Sequence, residues 1–100
     1  IALLEKKVPV ISIATHGNVF EKVLSNAQEA KARDSYLVGI APKCDGTEIF
    51  DYLIPLPLID EWISPLLTLV PMQLLSYHIA AHRGLDVDQP RNLAKSVTVE

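Results

Sequence analysis

Two short apolar runs rich in β-branched residues, 8–14 (VPVISIA) and 35–41 (SYLVGIA), flank a segment of helical periodicity, and this order constrains the fold more than any other feature. Near-continuous apolar runs of this length are the pattern of strands buried on both faces. The first run stops at Thr15-His16-Gly17-Asn18 and the second at Pro42, followed by the turn-rich Lys43-Cys44-Asp45-Gly46. Between them Val19, Phe20, Val23, Leu24, Ala27 and Ala30 fall on one helical face, and Glu21, Lys22, Ser25, Glu29 and Arg33 on the other, with Asn18 placed to cap the helix. The unit is therefore β-α-β, and such units build parallel sheets through right-handed crossovers. The expected class is α/β, a doubly wound parallel sheet with flanking helices.

A helical turn is expected at 47–51 and a third strand at 52–57, near a sheet edge because Pro55 and Pro57 each remove a ladder donor. Pro65 suits the first turn of a long helix that runs to Arg83 and stops at a left-handed Gly84, with Pro71 expected to kink it. Leu66, Leu67, Leu69, Val70, Met72, Leu74, Leu75, Tyr77, Ile79 and Ala80 make this helix apolar on nearly every side. A helix apolar all round is buried all round. A small sheet covers one face, so the rest is expected to meet protein outside this chain or a second subunit. Residues 1–84 read as the folded unit and 85–100, which lack helical periodicity and carry Pro90, as an extended tail.

Composition narrows the function classes. One hundred residues make one domain or part of one. Nine basic against 12 acidic residues, net charge -3, give no electrostatic reason to approach phosphate backbones. Cys44 is the only cysteine, which excludes an intramolecular disulfide and a cysteine-rich zinc site and fits a reducing cytoplasm. The longest apolar stretches are broken by prolines and contain Gln73 and His78, so no membrane segment is expected. Ile1 opens inside the apolar run IALL with neither initiator Met nor signal-peptide pattern, as an excised piece of a longer chain would.

Few residues carry a chemical signature. His78 and His82 stand at i, i+4, the spacing of a metal-binding pair, but no Glu follows His78 and no third ligand is apparent. A hydrogen-bonded His78 at the core edge and a His82 favoured by the helix C-terminus is the simpler reading, and no metal site is expected. Thr15-His16-Gly17 closes a strand where open α/β sheets place ligands, although any βα turn favours Gly and Asn. Cys44 reads as a loop thiol. The tail differs: Leu93, Ala94, Val97 and Val99 are apolar in a segment that solvent alone would keep polar, so it is expected to dock. A docked Lys95, desolvated and near a second cation such as Arg91, becomes able to form a Schiff base with a carbonyl substrate.

Residues 86–100 (DVDQPRNLAKSVTVE) resemble the terminal signature of the glutamine:fructose-6-phosphate amidotransferase, or glucosamine-6-phosphate synthase, family. Residues 71–80 (PMQLLSYHIA), ending at Arg83-Gly84, resemble that family's last long isomerase helix, and VPVISIA with its helix resembles the later part of the second sugar-isomerase (SIS) subdomain. The resemblance implies a doubly wound SIS fold truncated on its N-terminal side, with 1–84 the C-terminal part of that subdomain and 85–100 a catalytic tail. It implies an aminotransferase that makes D-glucosamine 6-phosphate and glutamate from D-fructose 6-phosphate and L-glutamine, without metal or pyridoxal phosphate. Lys95 takes the place of the family's Schiff-base lysine. Arg91 becomes a tail residue at the active-site and domain interface, and Ala94 and Val97 border the ammonia path or simply pack the docked tail.

The family's cysteine-led glutaminase domain, its first SIS subdomain with the sugar-phosphate loop, and its glutamate base and ring-opening His-Gly-Pro histidine have no counterpart in this sequence; His16, His78 and His82 do not match that histidine. The chain alone is therefore expected to be inactive, with those missing parts as its partners in a cytoplasmic homo-oligomer. A non-catalytic SIS module that binds a sugar phosphate or a protein partner is the alternative reading.

Overall fold

The computed structural model describes residues 1, 3–6 and 8–89. Three strands form one parallel sheet in the order β1 (Pro9–Ile13), β2 (Tyr36–Ala41), β3 (Tyr52–Pro55). Helix α1 (Phe20–Lys31) links β1 to β2, a single 3-10 turn (Thr47–Ile49) precedes β3, and α2 (Ser64–His82) closes the described chain. The expected α/β class and parallel β-α-β order are observed, and β3 is an edge of the described sheet. No helix among the described residues is long and apolar enough to cross a membrane.

One face of the sheet carries the core. Val10, Leu37 and Leu53 alternate onto it, and α1 sets Leu24, Ala27 and Ala30 against it at three-residue intervals. The alanines let the helix lie close, and Gly39 leaves room for the Phe50 ring: a Cβ there would stand 2.4 Å from Phe50 Cδ2. Asp51 fastens the start of β2 by accepting the Leu37 N–H at 2.7 Å, while its other oxygen lies 3.8 Å from Lys31 Nζ on the last turn of α1. The Lys31 ammonium also donates to the Ile49 carbonyl.

The opposite face is laid out by the register. One row runs Ile11, Val38, Tyr52 and the next Ile13, Ile40, Ile54. Ile40 is fully buried, but Ile11 and Ile13 are each 40% exposed, so this face is only partly covered.

Several boundaries differ from expectation. β1 is shorter than 8–14, although the Ala14 N–H still bonds the Ile40 carbonyl at 2.9 Å. Asn18 does not cap α1: a turn closed by the Phe20 N–H on the Gly17 carbonyl moves the helix start on, and Val19 occupies the cap position without a side-chain bond. The expected turn at 47–51 is confined to Thr47–Ile49. β3 ends at Pro55 instead of 57 because, after the Leu56 N–H bonds the Ala41 carbonyl, Pro57 has no donor to offer.

Helix α2 follows the sequence reading in outline and departs from it in environment. It runs through Pro71 without ending there, and stops as expected: Gly84 has φ +72°, its N–H bonds the Ala81 carbonyl, and Leu85 N–H bonds the Ala80 carbonyl. That pair of bonds is a Schellman motif, which only a left-handed residue at Gly84 permits. Burial on every side is not observed. Only Ser64 and Thr68 are buried, while Leu66 is 71% exposed and Leu69, Val70, Leu74 and Tyr77 are each about half exposed. Helix α2 packs little against the strands or α1, so its apolar sides stay open even in its first turn, where Leu66 lies.

Candidate functional site

Parallel sheets present ligand sites beyond the carboxyl ends of their strands, because the connecting loops and helix N-termini converge there. In this chain the segment after β1 (Thr15 to Asn18) and the one after β3 (Leu56 to Trp62) meet at that end. A small cavity is lined by Thr15, His16, Pro42, Leu56, Pro57 and Ser64 among others, and an open groove beside it by His16, Gly17, Asn18, Asp60, Glu61 and Trp62. His16 borders both.

The loop after β3 is held by its own polar groups. Asp60 Oδ1 accepts the Trp62 N–H at 2.9 Å, the Asp60 carbonyl accepts the Ile63 and Ser64 N–H groups at 3.0 and 3.1 Å, and Ser64 Oγ donates to the Glu61 carbonyl at 2.7 Å. These bonds start α2 and turn the Glu61 carboxylate over Gly17. A Cβ at Gly17 would meet only the Glu61 carboxylate, the free end of an exposed side chain that can swing aside, so it is the φ of +153° that favours glycine there. Trp62 is 90% exposed at the groove rim.

The groove thus collects an imidazole, an amide, two carboxylates and an indole: hydrogen-bonding and stacking groups without an activated nucleophile. Sequence reasoning singled out His16 but missed Asp60, Glu61 and Trp62; the one local signal was an acidic pair just before the Pro65 helix start. Cys44 is exposed in the loop after β2, where its N–H and carbonyl both bond Thr47 Oγ1, as a loop thiol. Among the described residues no three His, Cys, Asp or Glu side chains cluster closely enough to hold a metal ion. His78 is not the hydrogen-bonded core-edge residue expected; it and His82 are exposed on α2. Lys95, Arg91, Ala94 and Val97 lie outside the described residues.

A parallel sheet with helical connections and a strand-end groove defines the structural class, an α/β unit. No family model matches the chain. Its whole length is 69% identical over 102 residues to "Glutamine--fructose-6-phosphate aminotransferase [isomerizing]" of Nostoc sp. and 49% identical over 100 residues to the protein of that name from Thermococcus kodakarensis. The fold overlays "C-terminal domain of glucosamine-fructose-6-phosphate aminotransferase from Francisella tularensis" with a TM-score of 0.78 and 35% identity, covering 89% of this chain and 26% of that one. Sequence and fold together match the chain to a C-terminal segment of the glutamine–fructose-6-phosphate aminotransferases. It spans 16% and 17% of the length of those two curated relatives.

Proposed function

We propose that this chain acts as the lysine-bearing C-terminal part of an isomerizing aminotransferase that converts D-fructose 6-phosphate and L-glutamine to D-glucosamine 6-phosphate and glutamate. The observation that carries this reading is the identity of 69% extending over the whole chain. Residues 1–84 supply the later part of the second SIS subdomain and 85–100 the catalytic tail.

Lys95 is the nucleophile of the reading. Its Nζ lone pair adds to the C2 carbonyl of the open-chain ketose and water leaves; ammonia then adds to the C2 imine carbon and expels the Nζ amine, and the resulting C2 imine loses a proton from C1 and gains one at C2 to give the 2-amino aldehyde. A lysine does this only when unprotonated, which desolvation and the neighbouring Arg91 charge favour. Ala94 and Val97 give apolar borders to the ammonia path, and such walls suit a reagent that water would protonate. The described residues contribute the scaffold from which the tail departs. Glutamine hydrolysis, sugar-phosphate binding and the acid–base groups come from a glutaminase domain and a first SIS subdomain, in a cytoplasmic homo-oligomer. Neither metal nor pyridoxal phosphate enters this chemistry.

Grafting tests the assignment. With this chain in place of the corresponding segment of the Nostoc relative, the chimera is expected to form glucosamine 6-phosphate, and K95M is expected to abolish that activity. The chain alone should form none. Product from the isolated chain, or full activity in the K95M chimera, would overturn the reading.

A further inference from the structure

The chain's only tryptophan, Trp62, is not in the core but 90% exposed at the rim of the strand-end groove. Leu58, 68% exposed, lines the same groove. Two carboxylates line it with them, and no lysine or arginine does. Asp60 Oδ1 accepts the Trp62 N–H at 2.9 Å, which ties carboxylate and indole to one short turn, and Asp60 Oδ2 takes no donor among the described residues. The Glu61 carboxylate makes neither an ion pair nor a hydrogen bond among the described residues. Within the described fold the charge of the groove therefore stays uncompensated and its aromatic wall uncovered.

A flat aromatic face beside free carboxylates selects a cation. A guanidinium suits it better than an ammonium: its plane stacks on the indole, its paired N–H groups meet a carboxylate in two parallel bonds, and its weaker hydration lowers the cost of leaving water. The aliphatic stem of an arginine finds an apolar bed in Leu58. The groove is open, whereas pockets for free small molecules enclose most of the ligand's surface, so a side chain presented by a protein surface fits it better. We propose that the strand-end groove is a docking site for an arginine carried by another protein segment, its guanidinium stacked on Trp62 and paired with Glu61 and Asp60. This contact lies beyond the transfer chemistry, in which no groove residue takes part.

Trp62 fluorescence reports on the groove alone, because the chain has no other indole. The probe is a capped seven-residue peptide with two arginines among glycines and alanines, titrated into the whole chain at neutral pH. A saturable change in emission is expected, with binding at least about fivefold tighter than that of the matching lysine peptide. The citrulline peptide, which keeps the shape of arginine without its charge, should bind more weakly still. E61Q should weaken binding at least about threefold, and so should a rise in salt from about 0.05 to 0.5 M. E29Q, on the exposed face of α1, should bind as the parent chain does. Far-UV circular dichroism checks that both variants fold alike. No saturable response, an equal response to the citrulline peptide, or unchanged affinity in E61Q would overturn the proposal. So would emission that shifts without peptide, either on dilution of the chain or in R91Q, because a second copy or the chain's own tail would then fill the groove.

Discussion

Gly39 shows how far one missing side chain shapes this molecule. Its Cα hydrogen faces the Phe50 ring, and an alanine Cβ would stand 2.4–2.8 Å from three ring carbons of a residue that is itself only 8% exposed. The ring has to move, and overpacking of this kind costs about 1–3 kcal/mol. G39A is expected to lower the midpoint of denaturant unfolding by a corresponding amount. Asp51 makes a second residue-scale prediction. Its carboxylate accepts the Leu37 N–H at 2.7 Å, a charge-assisted bond worth roughly 1.5–3 kcal/mol, whereas its pairing with Lys31 at 3.8 Å is between groups 34% and 44% exposed and is worth at most about 1 kcal/mol. D51A should therefore destabilise more than K31M, which also forfeits the bond to the Ile49 carbonyl; the reverse ranking in urea melts would contradict the assignment of Asp51 as the fastener of β2.

Among the elements, β1, α1 and β2 were legible because their patterns are local: two near-continuous apolar runs and a stripe at helical spacing leave few alternatives. The ends were less legible, since they depend on which neighbouring turn the fold adopts. Asn18 has the chemistry of a cap, yet the turn from Gly17 to Phe20 hands that position to Val19, which is 57% exposed and bonds nothing through its side chain. V19D supplies the missing acceptor and is expected to raise stability by about 0.5–1 kcal/mol, read as a higher thermal midpoint. No gain would mean that the backbone at position 19, with φ -104° and ψ 2°, does not accommodate a side-chain cap. The groove was legible only by half. His16 follows a strand and could be read from its turn, but Asp60, Glu61 and Trp62 reach it through tertiary folding, which no short-range pattern records.

At the scale of the whole molecule, the apolar content of α2 points to a cover that the described sheet does not supply. Leu66, Leu69, Val70, Leu74 and Tyr77 are half exposed or more, and Ile11 and Ile13 on the sheet's open face are each 40% exposed. Exposed apolar surface of this kind drives association. The isolated chain is expected to sediment as dimers or larger species at high concentration, and triple substitution L66E/L69E/L74E to return it to a monomer. A clean monomer of the unsubstituted chain would show that α2 finds its cover within the chain. The same kind of sequence signal, apolar residues where a solvated segment would be polar, made α2 read as a core helix and the tail as a docked one.

The central claim is that Lys95 carries the covalent chemistry of the larger aminotransferase. Borohydride reduction of the Nostoc chimera in the presence of fructose 6-phosphate, followed by peptide mass mapping, tests it directly. The account predicts one hexose-derived adduct, on Lys95, and none on the isolated chain; an adduct on any other lysine of the chimera would contradict it.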